Sequence, residues 1–139
     1  MQMPEWRNKN PLYIKWSHGM AAWGLNGKGD LGYARFESLS ACFRYATEHL
    51  IRHERGFNGM TTVEAIVEGY AGPRHDVDDM MAYVCNVCNV EPDKRVSSWN
   101  RKLVCDIFEA LTRLAIAGYK PQWRSWIEAG YDLARTGMN

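Results

Sequence analysis

The feature that most constrains the fold is a change of residue pattern at Ser38. Before Ser38 the chain is rich in glycine and aromatic residues and has no helical period. After it, apolar residues recur three and four positions apart in four long stretches, residues 39–50, 77–88, 103–115 and 123–134. This spacing places apolar side chains on one face of a helix, and faces this wide are buried by packing together. We therefore predict a mainly α-helical domain.

A fifth, shorter helix is expected between the first two of these stretches. Thr61 and Glu64 have the spacing of a capping box, in which each side chain bonds the other residue's backbone at a helix start. Pro73 then favours a loop, and Asp76 is suited to cap the next helix. The residues expected deepest in the shared core come from three of the long stretches: Leu50, Val84, Ile107 and Leu111.

Two short extended segments in the first third predict a small β-hairpin. Residues 12–16 and 31–36 are the expected strands, and Asn26-Gly27 with the following Lys28-Gly29-Asp30 is the expected turn between them. With 139 residues, 46% of them hydrophobic, the chain has the size of one domain with one core. The expected fold is mainly α with some β (α+β): one domain over residues 1–139, with about five helices and a small N-terminal β-hairpin.

Composition excludes two classes of partner. A formal net charge of +1 does not supply the positive field that holds a phosphate backbone, so no nucleic-acid partner is expected. The apolar runs fall far short of the roughly 20 residues that span a bilayer. The N-terminus has no basic segment followed by an apolar one, so we expect neither a signal peptide nor a membrane partner.

Four cysteines invite a zinc or disulfide interpretation. Cys85 and Cys88 have CxxC spacing, but they lie inside a helical stripe. Cys42 and Cys105 belong to two other stripes and do not form a second pair at ligand spacing. Buried thiols that pack as small hydrophobic groups explain this pattern better. We expect reduced, metal-free cysteines and no cofactor.

Two histidine positions have polar neighbours. His49 and His53 are four residues apart on one helical face beside Glu54, which permits a metal pair but is more typical of a solvated flank. His75 lies next to Asp76 at the junction of a loop and a helix. Capping by Asp76 explains that junction without a function, and His75 is also a candidate contact for a partner.

Several short segments occur in a defined order over residues 7–134: Arg7-Asn8-Lys9-Asn10-Pro11, Trp23-Gly24, Phe36-Glu37-Ser38, residues 62–66, Tyr70-Ala71-Gly72-Pro73, residues 76–83 and Val90-Glu91-Pro92-Asp93. Together they resemble a family of phage virion proteins with lysozyme-like features. Residues 10–15, an Asn-led segment ending in Ile-Lys, are also similar to bacterial muramidase and glucosaminidase domains. The resemblance implies a lysozyme-like scaffold, peptidoglycan or another virion or host protein as partner, and a location in the virion or the bacterial host cytoplasm.

The chain departs from those families at two places. Glycan-cleaving relatives carry a catalytic glutamate on a helix just before the Asn-led segment, whereas here Glu5, beside Pro4, is the only carboxylate ahead of Asn10. The virion proteins carry a His-Glu-Asn-Gly segment after the fourth helix, where this chain reads Leu114-Ala115-Ile116-Ala117-Gly118-Tyr119-Lys120-Pro121. Both departures favour a binding or structural derivative, with a degenerate catalytic site, over an active hydrolase.

The candidate binding residues are mostly aromatic and lie in the turn-rich segments: Asn10, Trp16, Trp23, Tyr33, Tyr70 and His75. Flat aromatic faces stack on sugar rings, so the tryptophans and tyrosines are suited to line a groove. The competing interpretation is that they cover the core beneath the hairpin. The expected function is a virion-associated or wall-directed protein that binds peptidoglycan or a protein partner.

Two alternatives remain from the sequence. The first is an active peptidoglycan glycosidase of the lysozyme type, or a lytic transglycosylase, with Glu5 as general acid and Glu37 or Asp30 as second carboxylate, because glycoside cleavage commonly uses two carboxyl groups. Against this alternative, Glu5 lies near the chain terminus, where an exposed carboxylate is common without any catalytic role. The second is a phage-encoded effector that binds and inhibits a host protein through an exposed aromatic surface.

Overall fold

The computed structural model describes residues 8–56, 59–73 and 75–138. Within these ranges the α-helices are α1 Leu39–Arg55, α2 Val63–Gly69, α3 Val77–Cys88, α4 Arg101–Ala115 and α5 Arg124–Gly137. The prediction of a mainly helical fold with a small hairpin near the N-terminus is confirmed. None of the helices in these ranges combines the length and apolarity that a bilayer crossing requires.

Side-chain caps mark the starts of the first four helices, at Ser38, Thr62, Asp76 and Asn100. The predicted N-cap residue of α2, Thr61, was wrong, because the next residue, Thr62, caps the helix. The hydroxyl of Thr62, not that of Thr61, accepts the hydrogen bond from the Ala65 amide, at 3.2 Å. Thr61 is instead held in a strand, where it pairs with Val96. The predicted capping by Asp76 is confirmed, since its carboxylate accepts from two backbone amides of α3.

The hairpin is built from different strands than the sequence predicted. Strand β1, Leu25–Lys28, pairs antiparallel with β2, Ala34–Phe36, and a 3₁₀ turn at Asp30–Gly32 lies between them. Asn26-Gly27 therefore belongs to a strand, and that part of the predicted turn was wrong, whereas Gly29 and Asp30 do lie in the connection between the strands. The physical reason is that β1 adopts a bulged register with β2, which a glycine at positive φ, Gly27, can follow.

The other predicted strand, residues 12–16, lies beside residues 31–36, but it is not the hairpin partner of β2. Lys15 forms an isolated antiparallel bridge with Tyr33. The Ala34 amide donates to the Ile14 carbonyl at 2.8 Å, and the Trp16 amide donates to the Gly32 carbonyl at 3.1 Å. Residues 12–16 and 31–36 are thus in contact as expected, but β1 supplies the hairpin partner of β2.

A second, very small sheet was not predicted. Strand β3, Thr61–Thr62, pairs antiparallel with β4, Arg95–Val96. Two residues in each strand are too few for an alternating apolar pattern to be visible in the sequence. This pairing ties the start of α2 to the connection between α3 and α4.

The apolar faces of all five helices contribute to one core. Leu50, Val84, Ile107 and Leu111 are each at most 6% exposed, which confirms the predicted core positions. Helices α1 and α5 approach closely because position 130 is glycine: a Cβ there would lie 2.5 Å from the Ser40 carbonyl oxygen. The rings of Phe43 and Phe108 stack with their centroids 5.9 Å apart, which joins α1 to α4. Through these contacts α1 lies at the centre of the helix packing.

Replacing Leu111 with Ala should lower the free energy of unfolding by about 2–5 kcal/mol, because it opens a cavity in a close-packed core. Urea unfolding followed by circular dichroism measures this. Leu133→Ala on α5 is the matched control, because Leu133 is 40% exposed and should change stability by less than about 0.5 kcal/mol. A Leu111→Ala loss as small as that of the control would contradict the observed packing.

Candidate functional site

One concave feature among the described residues is a groove of about 430 Å³ where residues 13–15 and Tyr33 face α1 and the end of α2. Four tyrosines from separate parts of the chain surround it, and we call it the tyrosine groove. Its lining residues are Tyr13, Ile14, Lys15, Tyr33, Tyr45, His49, Glu68, Gly69, Tyr70 and Ala71. Two of the predicted binding residues, Tyr33 and Tyr70, therefore lie together in one site.

Tyr13 lies in the wall of the tyrosine groove, where it is packed into the core and is 9% exposed. Its ring meets Tyr33 edge to face, with centroids 5.5 Å apart and an interplanar angle of 70°. On another side the ring packs so closely on Gly72 that a Cβ at that position would lie 2.1 Å from it. Tyr13 itself adopts a positive φ of 53°, a conformation that costs free energy for a bulky residue. The surrounding contacts thus hold a strained backbone at the groove.

Asn10, expected to contact a ligand, lies behind the groove wall and is 1% exposed. Its Nδ2 donates to the carbonyls of Ile14 at 2.9 Å and Ala34 at 3.0 Å, and its Oδ1 accepts from the Ile14 amide at 3.0 Å. The Cys42 thiol also approaches Oδ1, at 3.6 Å. The amide of Asn10 is therefore engaged in positioning Tyr13, Ile14 and β2.

Tyr70 and His49 supply neutral polar groups. Burial raises the pKa of Tyr70 above its ordinary value, and Cys42 and Tyr45 act in the same direction. The phenol therefore stays protonated at neutral pH. Partial burial of its ring lowers the pKa of His49, and the nearby His53 and Arg52 lower it further. The His49 imidazole is accordingly uncharged at neutral pH and can either donate or accept a hydrogen bond.

The formal charges of the groove come from Lys15 and Glu68, which are both exposed. Among the described residues that line the groove, Glu68 is the only one with a carboxylate side chain. Asp30 and Glu37, the expected second carboxylates of a glycosidase, lie elsewhere. Asp30 is 3.5 Å from the Arg35 guanidinium, and Glu37 lines a separate depression. Glu5 lies outside the described residues.

The two candidate tryptophans do not line the tyrosine groove. Trp16 is half-buried, and the Lys28 ammonium lies 5.9 Å from its ring centroid. Trp23 is 52% exposed, and the Arg44 guanidinium lies over its ring at 4.7 Å. Cation–π contacts of this kind help to hold an exposed indole in place. The structure therefore separates the aromatic candidates into two sets.

His75 also lies away from the groove. Its Nε2 is 2.8 Å from the Leu114 carbonyl, a hydrogen bond that links the loop before α3 to the end of α4. This hydrogen bond gives the His75 side chain a structural role, since it connects two neighbouring elements of the fold. A role for His75 in partner binding stays a prediction.

Next to the tyrosine groove is a second cavity, of about 220 Å³, which we call the apolar cavity. The two share His49, Gly69 and Tyr70. The remaining lining of the apolar cavity comes from α1, β3, α2 and α4: Ala46, Leu50, His53, Thr61, Ala65, Ile66 and Phe108. The sequence did not indicate this site, although Ala46, Leu50 and His53 follow one another at helical spacing.

All four cysteine thiols are free. Burial raises the pKa of Cys105 to about 12 and that of Cys88 to about 11, so both are protonated thiols at neutral pH. Among the residues that the structure describes, no three or more His, Cys, Asp and Glu side chains are grouped to hold a metal ion. Metal-free protein stays a prediction, which elemental analysis of the purified chain would check.

Comparison with known proteins leaves the family open. No family model matches the chain, and no curated protein matches its sequence.

Asn10→Asp should destabilise the protein by about 1–3 kcal/mol at pH 7, because a carboxylate replaces the amide donor that faces two carbonyl oxygens. Asn26→Asp is the matched control, since Asn26 is exposed in β1. Folding raises the pKa of the new carboxyl, so the loss should shrink as the pH falls toward its unfolded value of about 3.9. Urea unfolding at pH 7 and pH 4 tests this, and equal stability of both variants would contradict the Asn10 geometry.

Proposed function

We propose that this protein is a non-enzymatic binding domain that holds an uncharged carbohydrate chain in the tyrosine groove, with bacterial cell-wall glycan as its ligand. The observation that carries the proposal is the convergence of Tyr13, Tyr33, Tyr45 and Tyr70 on one groove. These residues come from the N-terminal segment, the hairpin, α1 and the loop after α2. They are brought together by the tertiary structure.

The chemistry of the groove suits a sugar better than a charged ligand. A pyranose ring has apolar C–H faces and a rim of hydroxyl groups, and tyrosine offers a flat ring together with a hydroxyl. The neutral His49 and the protonated Tyr70 add hydrogen-bonding groups without charge. A volume of about 430 Å³ falls in the range of about 300–1,000 Å³ usual for small-molecule sites.

Binding is favoured over hydrolysis by the distribution of carboxylates. Glycosidases typically place two carboxyl groups about 5–9.5 Å apart across the scissile bond. Glu68 is the single carboxylate among the described residues lining the groove, and it is exposed. One carboxylate does not supply the two carboxyl groups that glycoside cleavage commonly uses. This favours a ligand that is bound and left intact.

The cell wall as the source of the glycan is supported by the resemblance of the segments around Asn10, Phe36 and Tyr70 to phage virion proteins with lysozyme-like features. A virion component that attaches to the wall needs affinity for glycan strands whether or not it cleaves them. We place the protein on the virion, or in the host cytoplasm before assembly.

Tyr33→Ala should weaken binding to an N-acetylglucosamine tetrasaccharide at least tenfold, a loss of about 1.4 kcal/mol, because it removes a ring of the groove wall. Titration calorimetry measures the affinity, and co-sedimentation with purified peptidoglycan sacculi checks it on the polymer. Tyr83→Ala is the matched control, since Tyr83 is half-buried on α3 and does not line the groove. Its affinity should stay within twofold of the wild type.

Two results would overturn the proposal. One is the absence of binding to both the tetrasaccharide and the sacculi. The other is clearing of a sacculus suspension by the wild type that disappears in Glu5→Gln or Glu68→Gln, which would identify an active glycosidase.

A further inference from the structure

The apolar cavity is large enough to hold a ring-sized group. Its volume is about 220 Å³, and an engineered protein cavity of about 150 Å³ already binds benzene. Ala46, Leu50 and Phe108 are core residues, each at most 6% exposed. The cavity therefore reaches the hydrophobic core between α1 and α2 and opens at the surface, where Ala65 and Gly69 are exposed.

The lining restricts the chemistry of an occupant. Most of it is aliphatic or aromatic, and its polar side chains are His49, His53 and Thr61, besides the Tyr70 phenol. A sugar ring with several hydroxyls would leave some of them without hydrogen bonds, which disfavours its binding in a largely apolar site. A charged group would lose hydration on entering this mostly apolar lining. The lowered pKa of His49 keeps that edge uncharged as well.

We infer that the apolar cavity is a binding site for a compact, uncharged aromatic or branched aliphatic group of up to about indole size, carrying a single hydrogen-bonding atom. Phe108 and Tyr70 meet edge to face with centroids 6.3 Å apart, so two aromatic rings border the site. The group is either a free small molecule or a branch of the ligand in the tyrosine groove, because the two sites share His49, Gly69 and Tyr70.

Indole is the probe, and titration calorimetry or ¹⁹F NMR with 5-fluoroindole measures its binding to the full chain at pH 7.5. Ala65→Leu should fill the cavity and weaken binding at least tenfold. Ala65 is exposed on α2, so the larger side chain does not disturb the core. Ala82→Leu on α3 is the matched control, because Ala82 is also exposed and lies outside the cavity. It should bind indole within twofold of the wild type.

Indole-3-acetate should bind at least tenfold more weakly than indole, since its carboxylate must be desolvated. The inference is overturned if indole shows no saturable site, if Ala65→Leu binds it as the wild type does, or if the anion binds equally well.

Repeating the indole titration with saturating N-acetylglucosamine tetrasaccharide distinguishes a free small molecule from a branch of the groove ligand. Competition indicates that the two ligands meet at the shared residues His49, Gly69 and Tyr70, as a branch of the groove ligand would, and simultaneous binding assigns the cavity to a separate molecule. Indole binding without tetrasaccharide binding would support the cavity site and defeat the proposed function.

Discussion

The buried amide of Asn10 is the interaction on which the groove depends. It joins the N-terminal segment to β2 through Ile14 and Ala34 and lies against Cys42 of α1. Each of these groups is buried, so a lost partner would leave an unpaired polar atom in a low-dielectric region. The network requires a side chain that both donates and accepts hydrogen bonds, as the amide of Asn10 does. Because it fixes Ile14, it also fixes the strained backbone of Tyr13 beside it.

Helix α1 connects the two sites with the core. One side of the helix packs against α5, where Gly130 allows a close crossing. Tyr45 and His49 line the tyrosine groove, and His49 also borders the apolar cavity. A rigid helix is a more precise support for a site than a loop, because its side chains keep their spacing. The groove thus combines rigid residues of α1 with the tethered segment around Tyr13.

Sequence patterns predicted the helices well and the strands poorly. Helices are local, so the spacing of Leu50, Ile107 and Leu111 was sufficient to assign their faces. Strand pairing is non-local, and the turn signal at Asn26-Gly27 was misleading because β1 pairs with β2 through a bulge. The site was predicted in part. Tyr33 and Tyr70 were chosen for their aromatic rings, whereas Tyr13 and Tyr45 were not among the candidates, because nothing in the local sequence places them beside the other two.

The sequence by itself determined the helical class, the core faces and most helix starts, because each of these depends on residues within a few positions of one another. Only the tertiary structure decided which aromatic side chains meet. It brings Tyr13, Tyr33, Tyr45 and Tyr70 to one groove and leaves Trp16 and Trp23 outside that site. It also buries the side chain of Asn10. The physical reason is that a buried hydrogen-bond network and the close packing of helices select one arrangement among many, and neither is visible in the spacing of residues along the chain.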